Sequence, residues 1–466
     1  MLPRSAVVSL SARARCCLGI VALGVALLFP CPKLNARQEA APPRLNYIRD
    51  AEIEYDLRAM MTPIMRVAGL DPDAVNFVLV QDNAINAFAA GGMNVFVNTG
   101  LIQKTDNADQ LIGVLAHELG HVAGGHLVRG TEAMRNASIE TILGMVAGVA
   151  AGVLAKNSEA GMAAIGGMQE LAQRNYFSFS RAQEGSADAA ALRFLDTTGW
   201  SAQGFLAFMQ KLETQDYLPN SRQTEYVRTH PLTQDRVAAV QHHVETSPLK
   251  DNVLPSVYAL MHARIKAKLI GFLQPEHALL RTTDNDIDLT ARYSRAIALY
   301  RTNKLEAALA LTDKLIAAEP KDPFFLELRG QMLYENGRVD ESIAAYRSAV
   351  RLLPGSALLQ GALGNALLQS NSKAATRDAL KHLQESARLE PQAPATWRAL
   401  ATAWGRDADD KESRGMADYA LAEEAMTSGN TKLAQQLADR ALKNLSPRSP
   451  YRMRVQDMRL VKDNAE

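Results

Sequence analysis

Cysteine is almost missing from this 466-residue chain: there are three, Cys16, Cys17 and Cys31, and none after position 31. The rest of the chain can form no disulfide, and a tight transition-metal site there must use histidine and carboxylate instead of thiolate. An excess of charge of one sign is missing too. Lys and Arg number 51 against 50 Asp and Glu, a formal net charge of +1, which provides neither a basic surface for nucleic acid nor an acidic trap. Apolar runs of membrane-spanning length are lacking as well. The run 18–29 is too short to cross a bilayer comfortably, and 139–155 is too short and glycine-rich, reading as a buried helix or a flap. Any membrane association is expected to be peripheral.

What is present begins with a leader. Arg4, Arg13 and Arg15 precede the apolar run 18–29, and small residues and prolines follow, with Leu34-Asn35-Ala36 as the cleavage site. This is the three-part layout of a secretory signal peptide over residues 1–36. Lipidation at Cys31 is disfavoured, because Phe29-Pro30 makes a poor lipobox. A chain of this length exceeds one compact core, so two or more domains are expected. Residues 37–46, with Pro42 and Pro43, read as a linker.

A mixed α+β unit follows. Ile53, Leu57, Met60, Met61, Ile64 and Val67 fall at helical spacing, 75–80 has a strand texture, and Met93, Asn94, Val95, Phe96 and Val97 form a strand closed by Thr99-Gly100. A sheet edge can hold an extended substrate chain as an added strand, because backbone pairs whatever its sequence. The Met93–Val97 strand is expected to supply that edge. From Asn107 the pattern turns helical, with Leu111, Leu115, Leu119 and Val122 on one stripe and Gly124-Gly125 at the end.

That helix carries His117-Glu118-Leu119-Gly120-His121. A spacing of four puts both imidazoles on one face, able to share an ion, with Glu118 at the rim to reach a metal-bound water. Catalytic zinc usually takes a third protein ligand. His126 is one candidate, but one residue is missing between Gly124 and His126 for the longer three-histidine motif, so it reads as a supporting group. The better candidate is Glu184, with Asp188 one turn on to orient a liganding imidazole. Ala187, Ala189, Ala190 and Ala191 let their helix approach the first closely.

In these pieces the chain resembles the gluzincin peptidases that include the HtpX membrane proteases and the CAAX prenyl proteases. The matching residues are Asn86-Ala87-Phe88, the strand 91–97, Thr99-Gly100-Leu101, His117 to His121, Ser180-Arg181, Glu184, Ala187-Asp188, Thr229-His230-Pro231 and Arg236, in the family's order over about 48–245. The resemblance implies Glu184 as third ligand to one Zn²⁺ and Glu118 as general base. It also implies that His230 approaches the metal, either restraining the enzyme by taking the water's place or stabilising the oxyanion with Arg236. The expectation adopted is restraint. The absence of several long hydrophobic spans disfavours the prenyl-protease branch.

The last third repeats. Tyr300 and Tyr334, Leu305 and Val339, and Pro320 and Pro354 are each 34 apart, and Asn303 and Gly337 share one turn position. That period with a closing proline is the tetratricopeptide signature. A third copy closes late at Pro391, which predicts an insertion near 371–375, and a degenerate copy spans 416–445 with its turn at Gly429-Asn430. The expected plan is a mostly α chain with a small β-sheet. A zincin protease domain covers 47–250, connecting helices 251–288, and an α-solenoid of repeats 289–466.

The layout of leader, protease and repeats is similar to that of periplasmic family members of Gram-negative bacteria. It implies a periplasmic endopeptidase acting on misfolded or stalled outer-membrane proteins, with the repeats recruiting substrate or the barrel-assembly machinery. The alternative is a chaperone or assembly factor with a mostly latent protease.

Overall fold

The computed structural model describes residues 46–90, 92–126, 181–213, 224–370, 372–407 and 409–460. The expected signal peptide, nearly all of the expected linker and the apolar stretch 139–175 lie outside the described residues.

The first part packs helices on one face of a small sheet. β1 (Tyr47–Ile48) leads to α1 (Ala51–Val67), whose N-cap Asp50 accepts from the backbone N–H groups of Glu52 and Ile53. Then come β2 (Asn76–Val80), β3 (Ala87–Ala90) and β4 (Asn94–Asn98). The sheet order is β1-β2-β4-β3; β4 runs parallel to β2 and antiparallel to β3. Alternation sorts the faces. Phe77, Leu79, Ala87, Val95 and Val97 are buried against the helices. Phe88 and Phe96 stack on the other face with ring centroids 4.9 Å apart.

The expected substrate edge is corrected here. The strand containing Val95, Phe96 and Val97 is internal, with β2 and β3 holding its two sides, and Met93 lies just outside it. A substrate strand cannot add to a strand already paired on both sides. Among the described residues the sheet has two edges, the two-residue β1 and the four-residue β3, and β3 is the longer.

α2 (Thr99–Lys104) and α3 (Ala108–Ala123) follow, the latter capped by Asn107. Leu111, Leu115 and Leu119 are fully buried, whereas Val122 is only partly so, because the helix emerges from the core in its last turn. Gly125, at φ 62°, ends that course. A further helix, α4, spans described residues 181–198 and stops at Gly199, at φ 76°. α5 (Gln203–Glu213), α6 (Glu225–Thr229) and α7 (Gln234–Thr246) complete this part.

α8 (Ser256–Leu273) and α9 (Pro275–Arg281) occupy the expected connecting region. Yet α8 is no spacer. Its Ile265 and Leu269 belong to the protease core, and its Ala267 to the first core of the repeats.

The repeats are antiparallel helix pairs: α10 (Leu289–Arg301) with α11 (Leu305–Ala318), α12 (Pro323–Glu335) with α13 (Val339–Leu352), and α14 (Ala357–Gln369) with α15 (Lys373–Leu389). α16 (Pro394–Gly405), α17 (Lys411–Thr427), α18 (Thr431–Asn444) and α19 (Arg452–Met458) end the array. The shared turn position is left-handed in both copies, at φ 59° for Asn303 and 76° for Gly337, the conformation that asparagine tolerates and glycine favours. The extra residues of the third copy do not sit at 371–375. α15 starts one period after α13 but is 17 residues long, where α11 and α13 have 14. An added turn keeps the helix's buried stripe in phase, whereas a longer loop would not extend the packing.

Candidate metal centre

Four helices bring their polar groups to one point. α3 supplies His117, Glu118 and His121, all buried. α4 supplies Glu184 and Asp188, and it comes close because α3 has glycine at 120: a Cβ there would fall 2.8 Å from the Ala187 carbonyl oxygen. His230 is the residue that ends α6, and α7 supplies Arg236.

The donors converge. His117 Nε2 and His121 Nε2 are 3.1 Å apart, and each lies 3.4 Å from a carboxylate oxygen of Glu184. His230 Nδ1 sits 3.2 Å from both Glu184 oxygens. One ligand atom from each of His117, His121, Glu184 and His230 lies within 4.8 Å of all the others. Ligands held at 2.0–2.1 Å by one tetrahedral ion stand roughly 3.3 Å apart. The donor set therefore fits a zinc-like ion, and two imidazole nitrogens facing one another need a cation or proton between them.

Further groups position the candidate ligands. Asp188 Oδ1 lies 2.9 Å from His117 Nδ1, leaving Nε2 for the metal. His126 Nδ1 lies 3.1 Å from His121 Nδ1, and Gln183 donates to the His126 carbonyl. Arg236 donates from Nε and Nη2 to Asp188 and from Nη1 to the Pro231 carbonyl, with Nη1 also 3.0 Å from Glu184. All three nitrogens of Arg236 thus engage Asp188, Glu184 and the Pro231 carbonyl. Glu118 differs: it is fully buried, its nearest basic neighbour is His230 Nε2 at 3.6 Å, and neither of its oxygens accepts a hydrogen bond.

The charges are set by opposing effects. Burial disfavours ionisation of Glu184 and Asp188. Contacts from His117, His121 and His230 on the first, and from Arg236 and His117 on the second, outweigh it and hold both below the usual carboxylate range. Burial likewise opposes charge on His117, but Asp188 and Glu184 lift its pKa to about 9. Burial keeps that of His121 low.

A family model described as Peptidase family M48 matches residues 51–244, and one described as Tetratricopeptide repeat matches 293–357. Over 359 residues the chain is 30% identical to the beta-barrel assembly-enhancing protease of Yersinia pestis, covering 75% of this chain and 70% of that one. The chain belongs to peptidase family M48. The chain is also 30% identical over 305 residues to the beta-barrel assembly-enhancing protease of Escherichia coli (strain K12), 63% of this chain and 60% of that one. The metalloprotease LoiP of the same organism is 26% identical over 223 residues, 47% of this chain and 79% of that one. As an M48 member the chain is a metalloprotease; the family implies a metal, and the four-donor cluster could hold one. No helix among the described residues is long and apolar enough to cross a membrane.

Sequence reasoning missed Tyr226. It is buried, stacks on His230 with ring centroids 4.8 Å apart, and accepts the His230 backbone N–H at its carbonyl. Its backbone N–H donates to the Ile85 carbonyl just before β3, so the His230 loop is tied to the segment entering that edge strand. A spacing of four before His230 was its only signal.

Proposed function

We propose that this M48 peptidase is a zinc endopeptidase of the periplasm that cleaves misfolded or stalled outer-membrane proteins, with its repeats recruiting clients or assembly machinery. In this reading His117, His121 and Glu184 are the three protein ligands, the gluzincin arrangement. Zinc, when bound, polarises the scissile carbonyl and acidifies a water. The chain does the rest. β3 pairs with extended substrate, Glu118 takes the proton from the attacking water, and Asp188 with Arg236 keeps His117 in the liganding tautomer.

The observation that carries this reading is the Glu118 carboxylate, buried beside the donor cluster with both oxygens unpartnered. Leaving such a group unsatisfied is costly, and a water to deprotonate accounts for it. The client class and compartment are supported by the leader pattern at residues 1–36 and by the relatives' names.

Purified full-length protein should contain stoichiometric zinc and cleave casein or unfolded barrel protein, and Glu118→Gln should abolish cleavage while keeping the metal. Equal activity in that variant removes Glu118 as base; a wild type that holds no zinc removes the ligand assignment. His230, the fourth member of the cluster, restrains the enzyme in this reading. His230→Ala should raise self-cleavage, and unchanged or lower proteolysis rejects restraint. The same position of His230 favours one second reading, an assembly factor with a mostly latent protease. Barrel assembly promoted without cleavage, by wild type and His230→Ala alike, selects it.

A further inference from the structure

The last repeats hold a cavity of about 890 Å³ that the metal centre does not use. Its size suits a ligand site. It is lined from α15, α16 and α17 and from the residues entering α19.

The wall is aromatic. Trp397 meets Tyr419 edge-on at 5.7 Å, Tyr419 lies 5.0 Å from Tyr451, and Tyr451 lies 6.4 Å from Trp404. Trp397, Trp404 and Tyr419 are buried in the repeat core and turn only ring edges into the cavity, a wall that favours another ring.

The polar groups are selective. Glu385 is held by two hydrogen bonds from Arg388, and Glu423 by two from Arg454. Both lining acids are thus neutralised. Trp397 Nε1 donates to the Pro391 carbonyl. Among the described residues, Lys381 makes no ion pair and the Trp404 indole N–H donates to nothing. A cation and a donor are left for the ligand, and no acid is left to pair with a cationic one.

We infer that this cavity binds an extended protein segment that sets an aromatic side chain among Trp397, Trp404, Tyr419 and Tyr451 and an adjacent carboxylate at Lys381. The inference deepens the reading in which the repeats recruit protein and rests on it for the source of the segment, not for its chemistry.

Two of the chain's three tryptophans line the cavity, so binding is read by fluorescence. The full chain carrying Glu118→Gln is titrated with a blocked hexapeptide, Ser-Glu-Phe-Glu-Phe-Ser, and with versions in which both Phe are Ala or both Glu are Lys. The parent peptide should bind about tenfold more tightly than the Ala version. Lys381→Glu, on an exposed side chain, should weaken the parent by up to about fivefold and favour the Lys version. Trp404→Phe, which removes the N–H and keeps a ring, should weaken the parent; because Trp404 is buried, it should also lower the melting temperature, so it is titrated below that transition. No fluorescence response to any peptide, equal affinity for the Phe and Ala versions, or tighter binding of the Lys version before any substitution overturns the inference. Because binding is measured with the proposed base replaced, failure here leaves the cleavage assignment standing, and failure of that assignment leaves this result standing.

Discussion

Arg236 grips Asp188 through two parallel hydrogen bonds, of 2.7 and 2.8 Å, and Asp188 in turn lies 2.9 Å from His117 Nδ1. The metal-facing nitrogen of His117 is thus set by a residue two contacts away. Asp188→Asn should lower zinc affinity by about 10–100-fold, the usual effect of losing such a partner, read by competition with a chelator. Arg236→Lys should fall in between, because an ammonium cannot reproduce the two-pronged contact. Affinity unchanged in Asp188→Asn refutes the orienting role.

Gly120 and Gly185 should respond oppositely to the same change. A Cβ on Gly120 meets the Ala187 carbonyl oxygen at 2.8 Å, whereas one on Gly185 meets nothing within 4 Å. Gly120→Ala should part α3 from α4, cost about 1–3 kcal/mol and loosen the metal. Gly185→Ala should stabilise by up to about 1 kcal/mol through helix propensity. Thermal denaturation of the two variants decides it.

Asp56 should make stability depend on pH. Burial, reinforced by Glu52, pushes its pKa up to about 8 from an ordinary 3.8. The folded state then holds a proton that the unfolded state releases, so this contribution is full below about pH 4 and is lost as pH rises towards 8. Asp56→Asn should melt above wild type at pH 8, with the difference shrinking as pH falls to 4. A difference independent of pH contradicts this.

Lys268 is almost fully buried amid Asp50, Glu52 and Glu327, which lie on or next to α1 and α12. Beside it, Arg264 pairs with Glu52 and Asp322, and the Tyr293 hydroxyl donates to Glu52. Lys268→Ala leaves buried carboxylates short of a partner and should cost about 3–5 kcal/mol. Urea unfolding followed separately by zinc release and by repeat-helix signal should show one shared transition, shifted in the variant.

Local patterns were legible and non-local pairings were not. The helix of His117 and His121 and the 34-residue copies announce themselves through spacings that a helix converts directly into faces. Glu184 and Asp188 showed as a turn-spaced pair among alanines that let α4 approach Gly120. Whether Val95, Phe96 and Val97 lie at an edge depends on β2 and β3 taking both sides, which no periodicity within the strand records. The length of α15 was misplaced into a loop because a late proline says that residues were added, not where. The grip of Arg236 on Asp188 joins residues 48 apart, and no local spacing records it.

Because α8 contributes Ile265 and Leu269 to one core and Ala267 to the next, the enzyme and its repeats share a beam instead of a tether. Cutting the chain after residue 250 would strip a wall from the catalytic half, and grafting other repeats onto it would require rebuilding that wall. The array is therefore not a cassette that can be traded without its enzyme.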